Sequence, residues 1–119
     1  MSKLHDYLKS QENLITASVD GKTLLDFIDR NAEEYPDYPA LNTPANSEYS
    51  AWDSISWSDY RAVSKNLAAG LMSLGLVPGD TAFIMSNTTK EHNISDLGIV
   101  YWGATPSTLY KQLKSSQIE

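Results

Sequence analysis

The sequence lacks cysteine entirely. Without cysteine there can be no disulfide framework, no thiolate metal site and no cysteine nucleophile, and we expect a reducing compartment, the cytoplasm. Cations are also scarce, since nine Lys and Arg residues stand against fifteen Asp and Glu residues for a formal net charge of −6. Because phosphate recognition needs clustered Lys and Arg, we expect no nucleic-acid partner.

Long apolar runs are missing as well. The longest weakly polar run, residues 97–104, is far shorter than the roughly 20 residues that a membrane-spanning helix requires. Among the first twenty residues, apolar side chains form no run longer than a pair, which is unlike a signal or transit peptide. We therefore expect no transmembrane and no targeting segment. An apolar content of 41% over 119 residues is still enough to bury the core of one domain.

A glycine-rich phosphate loop is also absent. The six glycines are never closer than four residues apart, and none stands in a GxxxxGK or GxGxxG pattern between a strand and a helix. Their spacing is typical of turns and helix ends. We therefore predict no phosphate-binding loop in this chain.

Some residues could act in catalysis or bind a metal ion, but they do not form a complete site. His92 and Asp96 lie four apart on a predicted helix, where two metal ligands could share one face, but a third ligand is missing. Ser86 could join them as a nucleophile triad. Three residues on one strand-to-helix turn, however, cannot easily form the required chain of hydrogen bonds. We therefore assign no catalytic, cofactor-binding or metal-binding residue.

The remaining candidates have simpler interpretations. Lys111 and Lys114 form the only close basic pair near a plausible site, and we interpret them as part of a solvated loop. Asp26 and Asp59 are better explained as helix-capping residues than as an acid/base pair. The three tryptophans are expected to pack in the core or at its rim, rather than to form a stacking platform: Trp52, Trp57 and Trp102.

The first part of the chain predicts one clear helix and two short strands. Residues 1–20 show a loose amphipathic pattern, typical of a frayed helix or arm. Thr23 followed by Asp26 fits a capping box, and the helix that it starts ends before Pro36. Residues 40–43, at an edge, and residues 53–56 are predicted as a short strand pair. The apolar face of the helix is expected to comprise Leu24, Leu25, Ile28, Ala32 and Tyr35.

The second part predicts a long helix followed by a strand–helix–strand unit. Ser56 can cap the long helix, Asp59 can reach back to it, and Gly75 can end it in the left-handed conformation. Strand 81–86, expected to be covered on both faces, a helix from residues 87–89 to Gly103, and strand 104–110 then form a βαβ unit. Residues 115–119 resemble the start of a further helix, which indicates a fragment. The apolar face of the long helix is expected to comprise Tyr60, Val63, Leu67, Leu71 and Leu74.

Three segments, in this order, resemble the N-terminal part of the AMP-forming acyl-CoA synthetases of the adenylate-forming ligase superfamily. Residues 56–60 (SWSDY) resemble the motif [ST]-[YW]-x-[ED]-[LFY], and residues 75–81 (GLVPGDT) resemble the turn G-[LV]-x-P-G-D-x. Residues 87–110 resemble the long block that ends in G-A-x-x-x-x-x-Y. Residues 104–110 and the Gln117-Ile118 pair are similar to the long-chain fatty acid ligases in particular. Residues 114–116 (KSS) depart from the usual Ser-Pro-Glu.

The resemblance implies an α/β fold, a partial N-terminal lobe with one βαβ unit, a short strand pair and three to four helices. An N-terminal arm, residues 1–22, would precede a truncated first part of the AMP-binding domain, residues 23–119. The parent enzyme would use ATP and Mg²⁺ to form an acyl-adenylate from a fatty acid and then transfer the acyl group to CoA. The family's phosphate loop, metal-side acid, ribose aspartate and lysine would all lie beyond Glu119.

Two functions remain open from the sequence. In the first, the chain is an inactive structural segment whose partner is the remainder of the ligase chain. In the second, it is a free-standing module descended from a ligase, which binds a protein or acyl partner without catalysis. In either case, three clear helices are too few to cover the apolar strands on both faces. We therefore predict exposed apolar surface and a homo-oligomer.

Overall fold

A computed structural model describes residues 2–114 and 116 of the chain. These residues form a mixed α/β fold with two small sheets, as predicted. Apart from Ser116, the predicted helix start at 115–119 lies outside the described residues. No helix in the described part of the chain is long and apolar enough to cross a membrane. The elements are α1 (Ser2–Val19), α2 (Leu24–Glu34), β1 (Pro39–Pro44), β2 (Trp52–Ser56), α3 (Trp57–Ser73), β3 (Thr81–Ile84), α4 (Lys90–Trp102) and β4 (Thr105–Thr108).

The N-terminal segment is a continuous helix of 18 residues, which is more regular than the predicted frayed helix or arm. Polar residues between its apolar positions obscure the helical repeat in the sequence. The helical geometry nevertheless places several large apolar side chains on one side of α1. These side chains are between 56% and 65% exposed: Leu4, Tyr7, Leu8, Leu14 and Ile15.

Both predicted helix caps are present. The Asp26 carboxylate accepts hydrogen bonds from the Thr23 backbone N–H, at 2.6 Å, and from the Thr23 hydroxyl, at 3.0 Å. These bonds from Thr23 hold the pKa of Asp26 below its usual value, because they stabilise the charged carboxylate. At the start of α3, Ser56 Oγ accepts a hydrogen bond from the Asp59 backbone N–H at 3.1 Å. Local side-chain chemistry therefore determines where both helices begin.

The antiparallel hairpin β1–β2 confirms the predicted strand pair. Its inner side chains, Leu41 and Ile55, pack against a core formed by Ile28, Tyr60 and Leu97. The hairpin is also tied to the N-terminal end of α4 by an ion pair between Asp53 and Lys90. The first core therefore joins α2, α3, α4 and the hairpin.

The predicted βαβ unit is also confirmed, because β3 and β4 pair in parallel on either side of α4 in the sequence. Ile84 is buried with Ile99 and Ala104 in a second core. Phe83, in contrast, is 62% exposed, so the prediction that strand 81–86 is covered on both faces is wrong. In the described part of the chain, α3 and α4 pack on the side of Ala82 and Ile84 only.

The contact between α3 and α4 depends on small residues, which hydrophobic patterning overlooks. Ser64 is fully buried, Ala68 is 7% exposed, and Gly98 is buried opposite them. A Cβ atom at Gly98 would lie 2.8 Å from Leu67 Cδ2 and 3.0 Å from the Ser64 carbonyl oxygen. The helices therefore approach too closely for a larger side chain at this position.

Some residues of the apolar faces predicted for α2 and α3 are buried, but others are exposed. On α3, Val63 is 43% exposed and Leu74 is 85% exposed, because the small-residue contact turns a different stripe of the helix inward. On α2, Leu24 and Tyr35 lie at the two ends of the helix and remain about half exposed. The C-terminal stops are as predicted, since Gly75 has φ 95° and Gly103 has φ 84°, both left-handed.

Replacing Ser56 with alanine removes the hydroxyl that caps α3. We expect Ser56→Ala to lower the free energy of unfolding by about 1 kcal/mol, the usual cost of losing an N-cap. Ser58→Ala makes the same chemical change two residues later, where the side chain bonds to no other described residue, and should have little effect. Denaturant unfolding of both variants provides the comparison, and equal midpoints would contradict the capping role of Ser56.

Replacing Gly98 with alanine tests the close approach of α3 and α4. The added methyl group would force the helices apart, and we expect Gly98→Ala to destabilise the fold by about 1–3 kcal/mol. Gly70 is also in a helix, but outside the local backbone of that helix no atom lies within 4 Å of the position that an added methyl group would take there. Gly70→Ala should therefore stabilise the fold by about 0.5–1 kcal/mol through helix propensity. Thermal or denaturant unfolding would show opposite signs for the two variants, and equal signs would contradict this packing.

Candidate functional site

A cavity of about 420 Å³ lies where β3 and β4 end at their carboxyl sides. Residues 86–88 and His92 line one side of it, and residues 108–111 line the other. Ligands of parallel α/β folds commonly bind at the carboxyl ends of the strands, which makes this location informative. We call it the strand-end cavity.

Ser86 and His92 come together at the strand-end cavity. The Ser86 hydroxyl oxygen lies 2.9 Å from His92 Nδ1 and 3.0 Å from the Asn87 carbonyl oxygen. Both contacts are satisfied when Nδ1 donates to the Ser86 oxygen and the Ser86 hydroxyl donates to the Asn87 carbonyl. The sequence predicted that three residues on one turn would not easily form the hydrogen-bond chain of a triad. Two of the three meet here, because the turn after β3 folds back over the first turn of α4.

Asp96 does not complete a triad with this pair. Within the described residues, no hydrogen bond joins Asp96 to His92, and the negative charge of Asp96 instead acts on Tyr60. Burial, and then this charge, raise the pKa of the Tyr60 hydroxyl. Because the hydroxyl proton of Ser86 is also directed towards a carbonyl oxygen, the geometry does not activate Ser86 as a nucleophile.

The pair His92 and Asp96 does not form a metal site with other residues. Across residues 2–114 and 116, no group of three or more His, Asp or Glu side chains is close enough to hold a metal ion. Asp26 and Asp59, the other carboxylates considered from the sequence, lie at the helix starts described above.

Lys111 lies exposed in a turn after β4, in agreement with the predicted solvated loop, and it also lines the strand-end cavity. Its ammonium group donates a hydrogen bond of 2.5 Å to the side-chain oxygen of Asn87. This contact links the segment after β4 to the segment after β3. The parallel pairing of the two strands brings Asn87 and Lys111 together across 24 positions of sequence, so local spacing contained no signal for it.

A second polar group, outside the cavity, ties α2, α3 and α4 together. The Tyr101 hydroxyl donates a hydrogen bond of 2.9 Å to Asp29, which also pairs with Arg61 and Lys65 at 3.8 and 3.4 Å. Burial, followed by this bond to Asp29, strongly raises the pKa of Tyr101. No local spacing in the sequence indicates this cluster, because its members come from three separate helices. Its contacts connect helices, and we interpret it as structural.

Two of the three tryptophans pack as predicted. Trp57 contacts the Tyr60 ring, with centroids 6.2 Å apart, and lies against the first core. Trp102 Nε1 donates a hydrogen bond of 2.7 Å to the Leu76 carbonyl. Trp52 differs, since it is 55% exposed at the start of β2.

The family model of AMP-binding enzymes matches residues 28–119. The chain belongs to the AMP-binding enzyme family. This membership confirms the resemblance to the adenylate-forming ligases, and the match includes every segment on which that resemblance was based.

Two curated relatives, both uncharacterized proteins of Mycobacterium tuberculosis, are 31% identical to this AMP-binding family chain over 109 residues. The match includes 92% of the chain and 59% of the protein from strain H37Rv, or 57% of the protein from strain CDC 1551. The chain therefore spans less than two thirds of the length of the curated relatives.

Solved structures of ligases contain the same fold. A Rhodopseudomonas palustris protein assigned as a long-chain-fatty-acid CoA ligase is 26% identical with a TM-score of 0.70, over 84% of this chain and 24% of its own. The N-terminal subdomain of Klebsiella oxytoca NpsA is 22% identical with a TM-score of 0.67, over 80% and 23% of the two chains. A fatty acyl-adenylate ligase from L. pneumophila, solved with acyl adenylate and pyrophosphate, is 20% identical with a TM-score of 0.67, over 74% and 15%.

Proposed function

We propose that the chain is the N-terminal structural segment of an AMP-forming long-chain acyl-CoA synthetase. The complete enzyme would activate a fatty acid with ATP to an acyl-adenylate and transfer the acyl group to CoA. Family membership and the similarity to the R. palustris protein support this proposal. We further propose a cytoplasmic location, which the absence of cysteine favours.

The observation that carries the proposal is the uncovered face of the β3–β4 sheet. Phe83 is 62% exposed and Met85 is 45% exposed, while the opposite face packs on α3 and α4. Parallel strands are normally covered on both faces, because their connections place helices there. The exposed face is therefore suited to cover by the remainder of a ligase lobe.

The residues of this chain do not fit the cofactors of the complete enzyme. The glycines form no phosphate-binding loop, and the described residues offer no cluster of metal ligands. We therefore assign the binding of ATP, Mg²⁺ and CoA to the remainder of the ligase. The contribution of this chain is to hold part of the lobe in shape.

A specific observation also favours the alternative of a free-standing interaction module. The two matches include similar shares of this chain, 92% with the M. tuberculosis relative and 84% with the R. palustris protein. They amount to 59% of the first protein but only 24% of the second, so the relative is far shorter than the ligase. The exposed apolar side of α1 would then be available to a protein or acyl partner. This module would bind its partner without catalysis.

The chain alone should not catalyse fatty-acid-dependent exchange of pyrophosphate into ATP, because its glycines form no loop for a triphosphate and its described residues form no cluster for the metal ion. Exchange should appear when residues 24–110 replace the matching segment of the R. palustris protein. The R. palustris protein with its own segment is the positive control. Exchange by the chain alone would contradict the structural role, and a soluble but inactive graft would favour the interaction module.

The uncovered sheet face also predicts self-association of the isolated chain. We expect a dimer or larger species in sedimentation equilibrium at micromolar concentration, because association hides both the apolar face and the unpaired strand edges. Phe83→Lys should shift the distribution towards the monomer.

Leu74→Lys is the matched control for Phe83→Lys. Leu74 is 85% exposed at the end of α3, away from the sheet face, and its replacement should leave association unchanged. A wild-type monomer of 13.2 kDa with a cooperative melt would contradict the association and favour the free-standing module.

A further inference from the structure

The strand-end cavity collects hydrogen-bond donors. Lys111 contributes an ammonium group, Thr88 and Thr108 contribute hydroxyl groups, and Asn87 contributes a side-chain amide. The bond from Lys111 to the side-chain oxygen of Asn87 leaves both amide hydrogens of Asn87 available as donors. Two further hydrogens remain on the ammonium group itself.

His92 also lines the strand-end cavity, and its own contacts orient it. Nδ1 is used in the bond with Ser86, whose hydroxyl in turn satisfies the Asn87 carbonyl. Among the described residues, Nε2 of His92 has no hydrogen-bond partner. The His92 imidazole therefore lies at the cavity with one ring nitrogen unused.

The charge of the cavity is opposite to that of the chain as a whole. The formal net charge of the chain is −6, yet no Asp or Glu lines the strand-end cavity. Glu91, the neighbour of His92, lines an adjoining groove beside α3 that shares Ser86 with the cavity, and the charge of Asp96 acts on Tyr60. A basic cavity without a carboxylate is therefore built into an acidic protein.

We propose that the strand-end cavity binds a compact oxyanion, either a phosphate group or a carboxylate. Lys111 would supply a charge-assisted hydrogen bond, and the hydroxyl and amide donors would satisfy the remaining oxygen atoms. The location at the carboxyl ends of two parallel strands agrees with this use. This proposal is independent of the proposed ligase function, because it depends only on residues of this chain.

The two histidines of the chain provide an internal control for the test, since His5 lies exposed on α1. In an NMR titration of the full 119-residue chain, inorganic phosphate should move the imidazole signals of His92 saturably and leave those of His5 in place. Sodium chloride at matched ionic strength separates binding from general screening. A parallel titration with acetate distinguishes a carboxylate from a phosphate ligand.

Lys111→Gln should weaken the binding of phosphate about tenfold, because a charge-assisted hydrogen bond is lost. Lys9→Gln removes the same charge from α1, outside the cavity, and should leave the affinity unchanged. Saturable movement of His92 signals with either anion, at an affinity about tenfold weaker in Lys111→Gln, supports the proposal. Equal movement of both histidines, no movement with either anion, or equal affinity of both lysine variants would overturn it.

Discussion

The close approach of α3 and α4 is the constraint on which the rest of the structure depends. It requires Gly98 opposite Ser64 and Leu67, since a side chain at position 98 would meet these residues at 2.8–3.0 Å. The hairpin and α2 pack on one end of the helix pair, and the β3–β4 sheet packs on the other. A wider separation of the two helices would therefore open both cores at once.

The same helix pair explains the two surfaces to which function is assigned. Because α3 and α4 both lie on one side of the β3–β4 sheet, Phe83 on the other side is left exposed. Because α4 connects the two parallel strands, their carboxyl ends lie side by side and bring Asn87 and Lys111 into contact. One face is thus suited to a further layer of polypeptide, and one end is suited to a small ligand.

Several expectations failed for a common reason, which is that hydrophobicity alone does not identify the side of a helix that packs closely. Val63 is larger and more apolar than Ser64, yet Ser64 is fully buried and Val63 is 43% exposed. The burial of Ser64 has a cost, because its hydroxyl group has no hydrogen-bond partner among the described residues. The benefit is a short distance between helices, which no pattern of apolar residues predicts.

The sequence by itself determined the features that arise from neighbouring residues: the caps at Thr23 and Ser56, the stops at Gly75 and Gly103, and the motifs of the family. These features depend on backbone hydrogen bonds within one or two turns, so local spacing is sufficient to predict them. Tertiary structure alone decided which sheet face stays open and which residues meet at the strand-end cavity. Both depend on contacts between segments that are far apart in the chain, and the residue types do not show which distant partner each will contact.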